Sequence, residues 1–151
     1  MFHGRIAAAL VTLFLLLGIN SAAFAAKPAI AVFKDANCGC CTGWIKHLED
    51  SGFAVNATNV DDTSAYRKKF QIPATLASCH TAMVGSYAIE GHVPAKDIQR
   101  LLKEHPKAIG LAVPGMPSGS PGMDGPHKMA YDVILVKNDG TQSLFHHYAA
   151  D

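Results

Sequence analysis

Three cysteines in four positions, Cys38-Gly39-Cys40-Cys41 within "DANCGCCTGW", sit between an apolar run and a segment with helical spacing. No other feature of the chain constrains its fold as much. The run before the cysteines, "AIAVFKDA" (29–36), is β-branched and aromatic and predicts a buried strand. The segment after them places Cys41, Trp44, Ile45 and Leu48 on one helical face, with Gly52 as the stop. A strand that runs into a helix through a thiol-bearing turn sets those thiols at a helix N-terminus. There the unpaired amides and the macrodipole favour an anion and lower a thiol pKa.

The alternation continues along the chain. "FAVNATNV" (53–60) predicts a second strand, and "DDTSAYRKKFQI" (61–72) a second helix that starts at Asp61 and Asp62 and has Pro73 just beyond its end. "ATLASCHTAMVG" (74–85) is expected to be a polar, small-residue connection holding Cys79 and His80. "SYAIEGHV" (86–93) then predicts a strand, and "PAKDIQRLLKEHP" (94–106) a helix with Ile98, Leu101, Leu102 and His105 on one face. From Gly110 to Met129, "GLAVPGMPSGSPGMDGPHKM" is too rich in Gly and Pro for regular structure, and a loop of that length is usually functional or disordered. "YDVILVK" and "TQSLFHHY", joined through Asn138-Asp139-Gly140, predict a C-terminal β-hairpin. The expected fold is therefore one α/β domain over 26–151, a mixed central sheet with flanking helices.

The first residues, "MFHGRIAAALVTLFLLLGINSAAFA", carry one arginine, an apolar run from Ile6 to Leu17 and small residues ending at Ala25. That order reads as a secretory signal peptide over 1–25, and the apolar run is short of the roughly 20 residues a spanning helix needs. Export to the periplasm, with no membrane attachment after cleavage, is the expectation. The remaining 126 residues hold 12 Lys+Arg against 12 Asp+Glu, so no basic excess marks a nucleic-acid surface. A chain of this length buries a core without a disulfide scaffold, which leaves its four cysteines available for chemistry.

Two chemistries fit those cysteines. In one, Cys38 is an exposed nucleophile resolved by Cys41, as in a thiol–disulfide oxidoreductase. Cys40 has no place in that scheme, because a direct bridge to its neighbour Cys41 would be strained. In the other, Cys38, Cys40, Cys41 and Cys79 are soft donors for Cu(I), or for zinc. Three ligands in four residues suit a cluster whose thiolates bridge several ions better than one tetrahedral ion. A single-ion zinc domain and a Cys-His hydrolase remain as further readings.

Met116, Met123 and His127 on the Gly/Pro loop, and His80 beside Cys79, are additional candidate ligands. Methionine is soft enough for Cu(I) and is not consumed by disulfide formation, although a single methionine is as readily explained as apolar filler. His92 and His105 are expected to face solvent or cap elements, Trp44 is expected to be core, and Met83 is as readily core as ligand. His146 and His147, adjacent on a strand, point to opposite faces and cannot share a site. No phosphate loop, nucleophile elbow or His-Glu-x-x-His occurs.

Taken together, "NCGCCTGW", "SCHTAMVGSYAIEGHVPAKDI" and "GLAVPGMPSGSPGM" resemble the CopG-type periplasmic copper-resistance proteins, a bacterial family of small exported domains, over residues 29–148. The resemblance implies a thioredoxin-like fold with a Cys-x-Cys-Cys motif that binds several copper ions through cysteine sulfur and has a redox role in copper handling. By position, Cys38, Cys40 and Cys41 match the motif, Cys79 the later cysteine, and Met116 and Met123 the loop. The expected function is thus a copper-resistance protein holding Cu(I) in a thiolate-bridged cluster. Its expected partners are copper ions and other periplasmic copper-handling proteins. Ordinary thioredoxins place a proline opposite the dithiol; here "CHTA" offers Cys79 instead.

Overall fold

The computed structural model describes residues 28–151, so the leader expected at 1–25 lies outside the described residues. Two elements flank the first cysteines: β1 (Ile30–Lys34) and α1 (Gly39–Asp50). They are followed by β2 (Val55–Asn59), α2 (Thr63–Lys69) and a short 3-10 turn (Ala74–Leu76). The second half comprises β3 (His80–Val84), β4 (Tyr87–Glu90), α3 (Ala95–Glu104), β5 (Ala108–Ala112), β6 (Tyr131–Lys137) and β7 (Gln142–Tyr148). The strands form one mixed seven-stranded sheet in the order β2-β1-β3-β4-β5-β6-β7. β1 runs parallel to β2, and β4 to β5; every other neighbouring pair is antiparallel.

Sequence pattern accounts for most of these boundaries. Cys41, Trp44 and Leu48 are the buried stripe of α1, and Gly52, at φ 81°, turns the chain where the helix stops. Asp62 caps α2 by accepting from the Ser64 amide, which shortens the helix expected over 61–72 to 63–69. The larger core lies on one face of the sheet, where Trp44, Leu48, Ile98 and Leu101 meet Ile30, Val32 and Ile89. Each such aliphatic side chain contributes about 1.5–3 kcal/mol by leaving water. A smaller core gathers Ile72, Leu76, Ala88, Ala112 and Val136, with Met83 packed against it.

Two expectations are corrected. The segment 74–85 is not a connection throughout: His80–Val84 is a central strand, bound to β1 on one side and β4 on the other. Its small residues permit this, since Thr81 and Ala82 are fully covered. The long loop is shorter at its start, because Gly110–Ala112 pair with β4 and β6. The C-terminal hairpin forms as expected, with Gly140 at φ 80° in its turn. Among the described residues no helix is long and apolar enough to cross a membrane.

Candidate metal centre

The turn between β1 and α1 is fixed before any thiol is placed. Lys34, almost fully buried at the end of β1, donates to the carbonyls of Asp35 and Ala36 at 2.9 and 3.5 Å. The Cys38 amide then donates to the Asp35 carbonyl at 3.2 Å. Cys38 is the N-cap residue of α1, and its Sγ accepts from the Cys41 amide at 3.3 Å, so sulfur does the work a serine or aspartate oxygen does elsewhere. Cys38 and Cys41 are joined by a disulfide, while Cys40 and Cys79 remain thiols. Cys40 Sγ lies 3.5 Å from Cys38 Sγ and 3.7 Å from Cys79 Sγ, and Cys41 Sγ lies 3.5 Å from Cys79 Sγ. All four sulfurs fall within 4.8 Å of one another.

Cys79 approaches from the opposite side, on the segment that leads into β3. Its Sγ is also 3.4 Å from His80 Nδ1 and 3.1 Å from His92 Nε2, and these three ligand atoms form a second group within 4.8 Å. The expectation that His92 faces solvent or caps an element is therefore wrong: it is fully buried in the turn after β4. Its Nδ1 is 2.8 Å from the Pro121 carbonyl, an acceptor, so Nδ1 carries the hydrogen and the Nε2 lone pair is aimed at Cys79. His80 is equally buried, packs on the Trp44 ring at 4.3 Å, and its Nε2 has no hydrogen-bond partner among the described residues.

Burial sets the protonation of the group. It drives the His80 pKa down to about 3, with His92 reinforcing the effect, and lowers that of His92 against the opposing pull of the Pro121 carbonyl. Both imidazoles are thus neutral near pH 7. The Cys79 thiol is pushed up to about 12 by burial first and by Cys40 second. A proton there is displaced by a soft cation far more readily than by bulk base, because a bound cation neutralises the thiolate in place.

The remaining predicted ligands lie on the 113–130 loop. Gly122 of this loop, at φ 81°, lies so close to α1 that a Cβ would come within 2.5 Å of the Cys40 carbonyl oxygen and the Trp44 amide. Met123 is half-buried, and its amide and carbonyl are used within the loop, by Ser120 and Gly119. Met116 is 52% exposed and His127 is exposed, its carbonyl accepting from the Ser118 hydroxyl. Neither ligand group contains His127. Trp44 is core, as expected, with Nε1 donating to the Val93 carbonyl.

The signal for His92 was present in the chain. β3 and β4 pair Val84 with Tyr87 and Thr81 with Glu90 around the two-residue turn Gly85-Ser86. Continuing that register sets Cys79 opposite His92, so a hairpin that pairs 81–84 with 87–90 brings the histidine to the cysteine.

Four cysteine sulfurs and two imidazoles gather at one end of the mixed α/β sheet, a group of the soft to borderline donor types that suit copper. Solved structures of copper resistance protein CopG resemble this chain closely. Form 2 shares 46% identity at a TM-score of 0.77, covering 81% of this chain and 98% of that one. Form 1 shares 45% identity at the same TM-score, covering 82% and 98%. The chain belongs to the CopG family of copper resistance proteins. The family described as protein of unknown function, DUF411, matches residues 76–123, which hold Cys79, His80, His92 and the Gly122 loop but not the Cys38–Cys41 turn. No curated protein matches the chain.

Proposed function

We propose that this protein takes up copper as Cu(I) on the sulfurs of Cys38, Cys40, Cys41 and Cys79, with His92 and His80 closing the imidazole side. The observation that carries this reading is the double membership of Cys79, whose sulfur belongs both to the four-sulfur group and to the Cys79/His80/His92 group. A thiolate in that position bridges ions, which supports a multinuclear cluster over a single tetrahedral site. The donor set fits copper on its own chemistry. Thiolates and neutral imidazoles are soft to borderline, and neither ligand group contains a carboxylate.

The Cys38–Cys41 disulfide adds a redox reading of the same site. Two thiolates that close to a disulfide release two electrons, enough to reduce two Cu(II) to two Cu(I), and reopening the disulfide by an external dithiol restores the four-thiolate site. The strand order β2-β1-β3-β4 with α1 following β1 supports a thioredoxin-like core, to which β5 to β7 are added. Residues 1–25 would direct export to the periplasm, where other copper-handling proteins would deliver or receive the ion.

The test is anaerobic Cu(I) titration of the reduced protein against a competing chelator, reading copper per chain and thiolate-to-copper absorption. More than one tightly held copper per chain, reduced in Cys40→Ser, establishes the bridged cluster. No uptake overturns it. Reduction of insulin by the copper-free protein through Cys38 and Cys41 alone, undiminished in Cys40→Ser, would instead establish the oxidoreductase reading.

A further inference from the structure

Cys79 lies beyond the end of the sheet ladder that ought to position it. The last pair of the β3–β4 register is Thr81 with Glu90, and one more bond follows, from the Gly91 amide to the His80 carbonyl at 3.1 Å. Ser78, the residue before Cys79, instead has both backbone groups held by a buried ion pair. Its amide donates to Glu90 Oε1 at 2.7 Å, and its carbonyl accepts from Arg67 Nη2 at 2.9 Å. Arg67 Nε closes the triangle on the same Glu90 oxygen at 2.7 Å.

The pair is an odd choice for stability alone. Glu90 is fully buried and Arg67 nearly so, and Glu90 Oε2 has no hydrogen-bond partner among the described residues. Buried pairs of this kind commonly add little stability over apolar residues of similar volume, because desolvation offsets their attraction. What the pair provides is direction: two bonds to the backbone of one residue, anchored in α2 at Arg67 and in β4 at Glu90. The Ser78 hydroxyl adds a tether to the Gly115 carbonyl at 2.6 Å, at the root of the 113–130 loop.

We infer that Arg67 and Glu90 are positioning residues for the metal centre, clamping the Ser78 backbone so that Cys79 Sγ is held between the α1 cysteines and His92. Neither touches a ligand atom; they act through the backbone of Ser78. The copper arm of the inference rests on the proposed copper site, so a copper-free measurement accompanies it.

The test uses Arg67→Met with Glu90→Leu, which replaces the pair by apolar side chains and leaves no buried charge unpaired. Cu(I) affinity of the purified, reduced protein is expected to fall about tenfold, and the same change made in Cys79→Ser is expected to cost nothing further, the non-additivity that marks action through one residue. Without copper, Cys79 is measured as the single thiol in Cys40→Ser with the Cys38–Cys41 disulfide intact. Its rate of reaction with a thiol probe is expected to rise about tenfold when the clamp is removed, since a displaced Cys79 loses its cover.

Unchanged affinity together with an unchanged probe rate overturns the inference, as does an affinity loss of equal size whether or not Cys79→Ser is present. If the unsubstituted protein takes up no Cu(I), the copper proposal fails and the probe rate alone decides the clamp. Should the double variant not fold, Glu90→Gln replaces it in both measurements. It keeps the shape and weakens the charge-assisted bonds, with an expected change of about threefold and the same overturning outcomes.

Discussion

Cys38, Cys40 and Cys41 reach the candidate metal centre from a single helical turn, whereas Cys79, His80 and His92 reach it from the two arms of a hairpin that other parts of the molecule must hold in place. On the first side the backbone does the positioning: Cys38 caps α1, and the spacing along one turn sets the rest. On the second side, side chains and a loop do it, through Arg67 and Glu90 at Ser78 and through the Pro121 carbonyl at His92. A local motif therefore supplies the site's identity and long-range contacts supply its geometry. The helical side should tolerate remote change, and the hairpin side should not.

The largest expected effect removes the hairpin-side residue at which the two ligand groups overlap. Cys79→Ser takes away the sulfur common to both ligand groups. Changes to residues that only support ligands already cost about 10–100-fold in metal affinity, so loss of this ligand should cost at least roughly a hundredfold and lower the copper count per chain. Chelator competition measures both. Retention of the full copper count would mean that the α1 cysteines make the site alone, and the comparison would collapse.

Next in size is the loop that fixes His92. Gly122→Val puts a β-branched residue at φ 81° and drives its Cβ into the Cys40 carbonyl and the Trp44 amide. The backbone strain alone is worth about 1–3 kcal/mol, and the contact adds to it, so the denaturation midpoint should drop visibly. Displacing Pro121 also frees the His92 tautomer, and affinity for Cu(I) should fall about tenfold or more. Pro121→Ala, which keeps the carbonyl, should leave affinity close to that of the unsubstituted protein; an equal loss there would point to the ring rather than to the hydrogen bond.

How much of this was legible in the chain follows from the same division. The β1–α1 turn, the α1 stripe and the thiol cluster are local patterns, and periodicity reads them directly. His92 was misread because its role exists only once β3 and β4 are paired. Reading 74–85 as a connection removed the strand whose register carries the histidine to Cys79. Arg67 and Glu90 gave no signal at all, since charged residues in a sequence read as surface and these two are buried against each other. Composition marks the 113–130 loop as special, but not that Gly122 is where its backbone comes against α1, a close approach that leaves no mark in the chain beyond the glycine itself.

A smaller effect separates the sides by pH. In the folded, copper-free protein His80 stays neutral down to about pH 3, while in the unfolded chain it takes up a proton near 6.5. Its contribution is fully present above about pH 6.5 and is lost as pH falls toward 3, with a slope of up to about 1.4 kcal/mol per pH unit. His80→Phe keeps a ring against Trp44 and removes that slope, so the unsubstituted protein should lose stability relative to the variant as pH falls from about 6.5 to about 4. Denaturant midpoints across that range check it. A parallel acid dependence in the two proteins would place the titration elsewhere.

The smallest expected effect on copper comes from a polar cluster that shares no residue with the thiol and imidazole groups. Asp97, 2% exposed on α3, accepts from His146 Nδ1 at 2.7 Å and from the Tyr148 hydroxyl at 2.5 Å, tying α3 to β7. Tyr148 in turn stacks on Tyr131, and Lys96 lies over its ring. Asp97→Ala leaves both partners without their acceptor and should cost about 1–3 kcal/mol of stability. Copper uptake below the melting transition should nevertheless be unchanged, because the clamp on Ser78 and the carbonyl on His92 come from α2, β4 and the 113–130 loop. A stability loss of that size with full copper affinity would show that the hairpin side depends on particular anchors and not on stability in general. A matching loss of copper affinity would show that the whole sheet, and not two contacts, holds Cys79 in place.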